Sequence, residues 1–306
     1  MRDEEPYQAL CTSQEETVDH SEPRLDSEAK SGVYMVYNTA TSPATGRSWV
    51  ILKALVAVLG LLCVLLVIGI AVLLTGNTSC STPPPQNGAY GNQDYHDMQN
   101  KKLCFPKHSD DSFVKILLDY KEPLTHLTLC MRYFTQFSRK EQSLFSMATR
   151  SYSNAFLLFI ERNGKFSFEV NHDSIWTNIA SPPGQWNSVC ASWNVCGTTE
   201  MWLNGKKFSL QRISTGRGID TQAIIKIGQE QDSYGGSLDI TQCFVGEISD
   251  VYLWGHGKTT TLVSQFLQTQ RSSFDDSFLI NWRAFNYTSL SGHASVISNS
   301  SVCDVD

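Results

Sequence analysis

Gly228-Gln-Glu-Gln-Asp-Ser-Tyr-Gly-Gly-Ser-Leu-Asp-Ile-Thr-Gln242 concentrates oxygen ligands in a short span. Glu230, Asp232 and Asp239 carry carboxylates, Gln231 and Gln242 carry amides, and Gly235-Gly236 lets the chain double back. Ca²⁺ takes about six to eight oxygens, mixing carboxylates, amide or main-chain carbonyls and water. No His or Cys clusters with them, so the donor set suits calcium rather than zinc or copper. The same composition also describes an acidic, solvated hairpin loop. The rest of the chain separates the two readings.

Working outward, Phe105-Pro-Lys107, Val189-Cys-Ala-Ser-Trp193, Phe244-Val-Gly-Glu-Ile-Ser-Asp-Val-Tyr-Leu-Trp254 and Ile280-Asn-Trp-Arg-Ala-Phe-Asn-Tyr287 accompany Ile227–Gly236 in a fixed order. Together they resemble the pentraxins over the region from near Leu103 to the C-terminus. The resemblance implies an all-β fold: a two-sheet antiparallel jelly-roll sandwich, concanavalin-like, with one short helix laid opposite the calcium site. It implies a Cys130–Cys190 disulfide. It also implies calcium ligands at Asn154, Glu230, the Gln231 carbonyl, Asp232, Asp239 and Gln242.

Two positions depart from the family pattern. Asp239 stands where Glu is usual, and Ser153 replaces an Asp that pairs with Asn154. Loss of a carboxylate weakens a site whose affinity is tuned by ligand charge, so Kd is expected on the order of 10⁻⁴–10⁻³ M. In pentraxins the bound calcium receives a phosphate or carboxylate oxygen of the ligand beside an apolar pocket. Phe159 matches the pocket phenylalanine. Glu169 stands where a small residue is expected and Ser174 where an acidic one is, so a faithful phosphocholine site is not expected. The expected function is calcium-dependent binding of an anionic or saccharide ligand. The alternative is a calcium-independent adhesion or receptor module engaging a cell-surface protein, as laminin-G-like domains of the same outline do.

Read from its own periodicity, the region is β-rich. Phe113–Leu118, Leu127–Phe134, Ala155–Ile160, Phe166–Val170, Ser188–Trp193, Met201–Leu203 and Ala223–Ile227 are short apolar or alternating runs. Asn163-Gly164 and Asn204-Gly205 supply hairpin turns with φ > 0. Thr261–Gln270 reads as a helix, with Leu262, Phe266 and Leu267 on one face.

The preceding residues have a different character. From Ala54 to Leu74 there is no charge, and about 21 helical residues span roughly 32 Å, a hydrocarbon core. Residues 49–75 are therefore expected to be a transmembrane signal anchor, preceded by a disordered acidic tail over 1–48 with four Lys/Arg against nine Asp/Glu. Residues 76–102, containing Pro83-Pro-Pro85, read as a stalk without heptads, followed by an extracellular domain over 103–306. Arg47 and Lys53 flank the span on its N-terminal side, and no Lys or Arg follows until Lys101. The sequons at Asn77, Asn286 and Asn299 and seven of the nine cysteines lie beyond it. The expected protein is a single-pass type II plasma-membrane protein. Tyr7-Gln-Ala-Leu10 matches a Tyr-x-x-apolar sorting pattern.

Beyond the Cys130–Cys190 pair, Cys104–Cys303 and Cys196–Cys243 are expected bridges. Cys80 is then left for a disulfide to a second chain in a homo-oligomer. Enzymatic activity is not expected. β-Glucanases share the sandwich outline, but their Glu-x-Asp-x-x-Glu motif would meet Gly235 at its last position, and Gly255-His-Gly-Lys-Thr259 lacks the first glycine of a phosphate loop. Nor is nucleic-acid binding, since residues 76–306 hold 19 Lys/Arg against 21 Asp/Glu and no basic run.

Overall fold

A computed structural model describes residues 95–137, 139–257, 259–268 and 278–306. The tail, the anchor, most of the stalk, Tyr7–Leu10, Asn77 and Cys80 lie outside the described residues. Among the described residues no helix is long and apolar enough to cross a membrane.

Among the described residues fifteen strands follow in order: β1 (Lys101–Phe105), β2 (Phe113–Asp119), β3 (His126–Phe134), β4 (Gln142–Thr149), β5 (Phe156–Ile160), β6 (Lys165–Val170), β7 (Asp173–Ala180), β8 (Trp186–Asn194), β9 (Thr199–Leu203), β10 (Lys206–Ser209), β11 (Gln222–Ile227), β12 (Gly246–Trp254), β13 (Phe278–Ile280), β14 (Ser289–Ser291) and β15 (Ser295–Ser298). Helix α1 (Thr259–Leu267) precedes β13. The strands form two antiparallel sheets, ordered β10-β9-β8-β3-β12-β1-β15, with β13 also on β12, and β14-β2-β11-β4-β5-β6-β7. This is the expected jelly-roll sandwich.

Period-2 alternation assigns the faces. In β5, Phe156, Leu158 and Ile160 enter the core between the sheets, whereas Leu157 and Phe159 do not. In β3, Leu129, Met131 and Tyr133 enter it with Trp193 of β8 and Phe166 and Phe168 of β6. Burying each such side chain stabilises the fold by about 1.5–3 kcal/mol.

α1 begins two residues before the expected start and ends at Leu267, burying Leu262, Val263 and Phe266 against β3 and β8. Arg132 of β3 ties it down by stacking over Phe266 and donating to the Phe266 carbonyl and Asp250. The helix therefore lies on the sheet remote from Glu230. At the N-terminus, His96 pairs with Phe285 and Met98 is buried, so the stalk read to Lys102 ends earlier.

Cys130 and Cys190 face each other across β3 and β8 and are bridged, and Cys104 is bridged to Cys303. The expected Cys196–Cys243 bridge is a correction: Cys243 carries a buried free thiol, and Cys196 is disulfide-bonded elsewhere. Geometry explains it. Cys243 precedes the end of β12 that aligns with Phe134 and Trp186, whereas Cys196 follows the far end of β8. The nine-residue length of β8, roughly 30 Å, separates them, and a disulfide needs Cα atoms within about 7 Å.

Candidate cation site and ligand face

The chain leaves β11 through Gly228, at φ 89°, where a Cβ would meet the Phe105 ring at 2.5 Å. Only glycine accepts both that conformation and that neighbour. Gln231 then bonds to Ser146 of β4 through its N–H and its Nε2, and the chain doubles back at Ser233–Gly236. It closes with a 3-10 turn over Ile240–Gln242, capped by Asp239, whose carboxylate accepts from the Thr241 N–H at 2.8 Å.

The structure gathers the expected residues from three places in the chain. Glu230 is buried, 7% exposed, and accepts from Asn154 Nδ2 at 3.3 Å. Burial, first, and the neighbouring charges of Asp232, Glu169 and Glu161 push its carboxyl up to about 7, against the lowering effect of the Asn154 hydrogen bond. Desolvation and the Asp239 charge raise Asp232. Asp239, exposed and bonded to Thr241, is lowered. Three carboxylates with coupled charges and the Asn154 amide thus share one locality.

Amide oxygens complete it. Asn154 Oδ1, Gln231 Oε1 and Gln242 Oε1 are buried without a hydrogen-bond partner. An unsatisfied buried acceptor costs about 1–3 kcal/mol. Gln231 is wholly buried, its Nε2 held by Ser146 and the Ile224 carbonyl. These orphans are oxygens without donors, and a hard cation takes such ligands. Among the described residues no three His, Cys, Asp or Glu side chains form a metal cage by themselves. The donor set rests on amides and carbonyls as well, so these residues fit calcium and would hold it jointly.

Phe159 lies on the same side of its sheet as Leu157, opposite to the interior residues of β5. Across the strands it aligns with Ser167, and Ser167 with Trp176 of β7. Trp176 is 71% exposed between inward-facing Ile175 and Thr177. Sequence reasoning did not single it out, although the alternation from Asp173 to Ala180 carried the signal. Beside the 3-10 turn, a cleft of about 340 Å³ is bounded by Ile240 and Thr241, by His108, Arg139 and Lys140, and by Arg162 with its ion-pair partner Glu141. Burial and the Lys140 charge lower the His108 ring. Asn286 is half-buried and Asn299 exposed after β15.

These features define an antiparallel sandwich with an oxygen-rich loop site on one outer face. The Pentaxin family model matches residues 101–297, and the chain belongs to that family. It is 39% identical to mucosal pentraxin of Mus musculus over 196 residues, 62% of this chain and 84% of the relative. It is 34% identical to C-reactive protein of Mus musculus (63% and 85% covered) and 33% to serum amyloid P-component of Sus scrofa (63% and 85%). Among solved structures, the native heptameric SAP-like pentraxin of Limulus polyphemus superposes with a TM-score of 0.56 at 25% identity. It covers 69% of this chain and 100% of its own.

Proposed function

We propose that this chain is a membrane-anchored pentraxin that recognises anionic or saccharide ligands through bound calcium. The observation that carries the reading is the convergence of Asn154, Glu230, Asp232 and Asp239 with the unpartnered oxygens of Asn154 and Gln242. Pentraxins are in general calcium-dependent ligand-binding recognition proteins, which supports the assignment. Calcium supplies a Lewis-acidic positive charge to a ligand oxygen. The protein's own groups orient the rest: Arg139 and Lys140 of the cleft favour a further anionic group, and exposed Trp176 offers stacking surface, whereas Phe159, the expected pocket residue, is only 5% exposed and supports Trp176's face from within. Binding without catalysis is the proposed role.

The uncharged span from Ala54 to Leu74, its basic N-terminal flank and two disulfides in the described domain support type II insertion with this domain outside the cell. Kinship with a heptameric neighbour supports a homo-oligomer.

The test is thermal unfolding of the full chain in mild detergent, with millimolar Ca²⁺ and then with EDTA. A ligand that binds only the native state raises Tm by mass action. A calcium-dependent rise that disappears in Glu230→Gln/Asp232→Asn supports the reading. An unchanged Tm overturns it and favours a chelator-insensitive protein-binding module.

A further inference from the structure

Ser153 removes a carboxylate from the calcium ligand pattern, and the structure shows where its side chain goes instead. Its hydroxyl lies 3.1 Å from His172 Nε2, in the turn between β6 and β7, and so is engaged away from Glu230. Its neighbour Asn154 remains at the site, and the single Asn154 Nδ2 serves two carboxylates. One is Glu230 at 3.3 Å; the other is Glu169, at 3.1 Å through Oε2.

Glu169 comes from near the C-terminal end of β6, across from Leu157 and beside Ser174, on the outer face of the sheet. Among the described residues it has no cationic partner in an ion pair, unlike Glu141, Glu200 and Glu247, which are paired with Arg162, Lys207 and Lys102. Two carboxylates drawn to one amide N–H₂, with the Asn154 oxygen buried and unpartnered beside them, have acceptors in excess of donors. Wholly buried Gln231 adds a further unpartnered oxygen in the same loop. A divalent cation answers that imbalance, because each of these oxygens is a ligand that it takes.

We propose that Glu169 is a ligand of the cation in this site and supplies the carboxylate that Ser153 lacks. The inference rests on the calcium reading above and deepens it. Moving a carboxylate from the loop before β5 to the end of β6 keeps the charge of the site and changes its shape. It also places an acidic side chain where a ligand would otherwise approach the sheet. A ligand bearing a hydroxyl or ammonium group next to its anionic oxygen then fits better than one with only apolar substituents there.

The test is calorimetric titration of the full chain in detergent with Ca²⁺, comparing Glu169→Gln, Ser153→Asp, the double variant and Glu230→Gln. Glu169→Gln is near-isosteric, and its Tm in EDTA reports whether it folds. Weakening of calcium binding by roughly 10–100-fold is expected, the range seen when metal sites lose a supporting group. Restoration in Ser153→Asp/Glu169→Gln is expected, as is little gain in Ser153→Asp alone, where Glu169 already contributes. Wild-type affinity in Glu169→Gln, with binding lost in Glu230→Gln, overturns this inference and leaves the calcium site standing. Tighter binding in Ser153→Asp that is indifferent to Glu169 overturns it as well. Unchanged affinity in Glu230→Gln overturns the calcium reading itself.

Discussion

Glu230 and Glu247 are equally buried, each 7% exposed, and their surroundings differ in kind. Glu247, on β12, receives the Lys102 ammonium at 2.9 Å through one oxygen and the Cys303 N–H at 3.1 Å through the other. Its charge is matched inside the protein. Glu230 faces Asp232 and Glu169 and receives only an amide hydrogen. The Glu247 locality closes its electrostatics within the fold; the Glu230 locality has no cationic partner among the described residues. The first arrangement holds the sandwich together, and the second suits it to bind something.

The comparison breaks most readily at Glu247. Glu247→Ala leaves the buried Lys102 ammonium without a partner and should destabilise the fold by about 3–5 kcal/mol, read by chemical denaturation, while calcium affinity in the remaining folded protein is unchanged. Glu230→Gln should act in the opposite sense. In EDTA at pH 8 it should stabilise by about 1–3 kcal/mol, because it removes a carboxylate that the fold disfavours in its charged form. If Glu230→Gln destabilises the EDTA-treated protein, the two carboxylates are alike and the contrast fails.

The same contrast has a pH dependence. The Glu230 carboxyl is raised to about 7 from its ordinary 4.5. Between those values the folded state binds more protons than the unfolded state, so stability conferred by this group falls as pH rises from about 5 through 7. Thermal melts in EDTA should show Glu230-dependent loss over that window, absent in Glu230→Gln. Saturating Ca²⁺ should remove the loss, since the ionised form is then held. A Glu230-independent profile would break the assignment. The smallest effect concerns Trp176, whose replacement by Ala should alter stability by less than about 0.5 kcal/mol and lower capture of saccharides in a calcium-dependent glycan-binding assay. Equal capture by both forms removes Trp176 from the ligand face.

Much of the sandwich is legible where side chains alternate cleanly, as in Phe156–Ile160 and Leu127–Phe134. Gln142–Thr149 is not, although every residue of β4 is buried. Its register shifts between Ser143 and Phe145, so the apolar residues fall at adjacent rather than alternate positions. Small polar residues fill the rest, with Ser146 reserved for Gln231. The loop's carboxylates and amides are legible as a group because they are close in sequence. Asn154 becomes visible through the pentraxin resemblance, which also marks Glu169 as a departure from the family; its contact with Asn154 is not legible, because it forms only once the β5–β6 hairpin is made. Cysteine pairing shows the same limit: proximity of the first and last strands indicates Cys104–Cys303, whereas closeness in sequence to the loop misleads for Cys243.

The bridge between Cys104 and Cys303 has a mechanical consequence. β1 lies between β12 and β15, and the bridge joins it to the other end of the chain. A pull on the N-terminal side could peel His96 from Phe285 and then Lys101–Leu103 from their neighbours. At Cys104 the peeling stops, because further extension must draw on Cys303 and the C-terminal segment as well. The domain is thus fitted with a strain limiter near its first strand, so that tension entering from the N-terminal side loads two ends of the fold together and spares the opposite sheet.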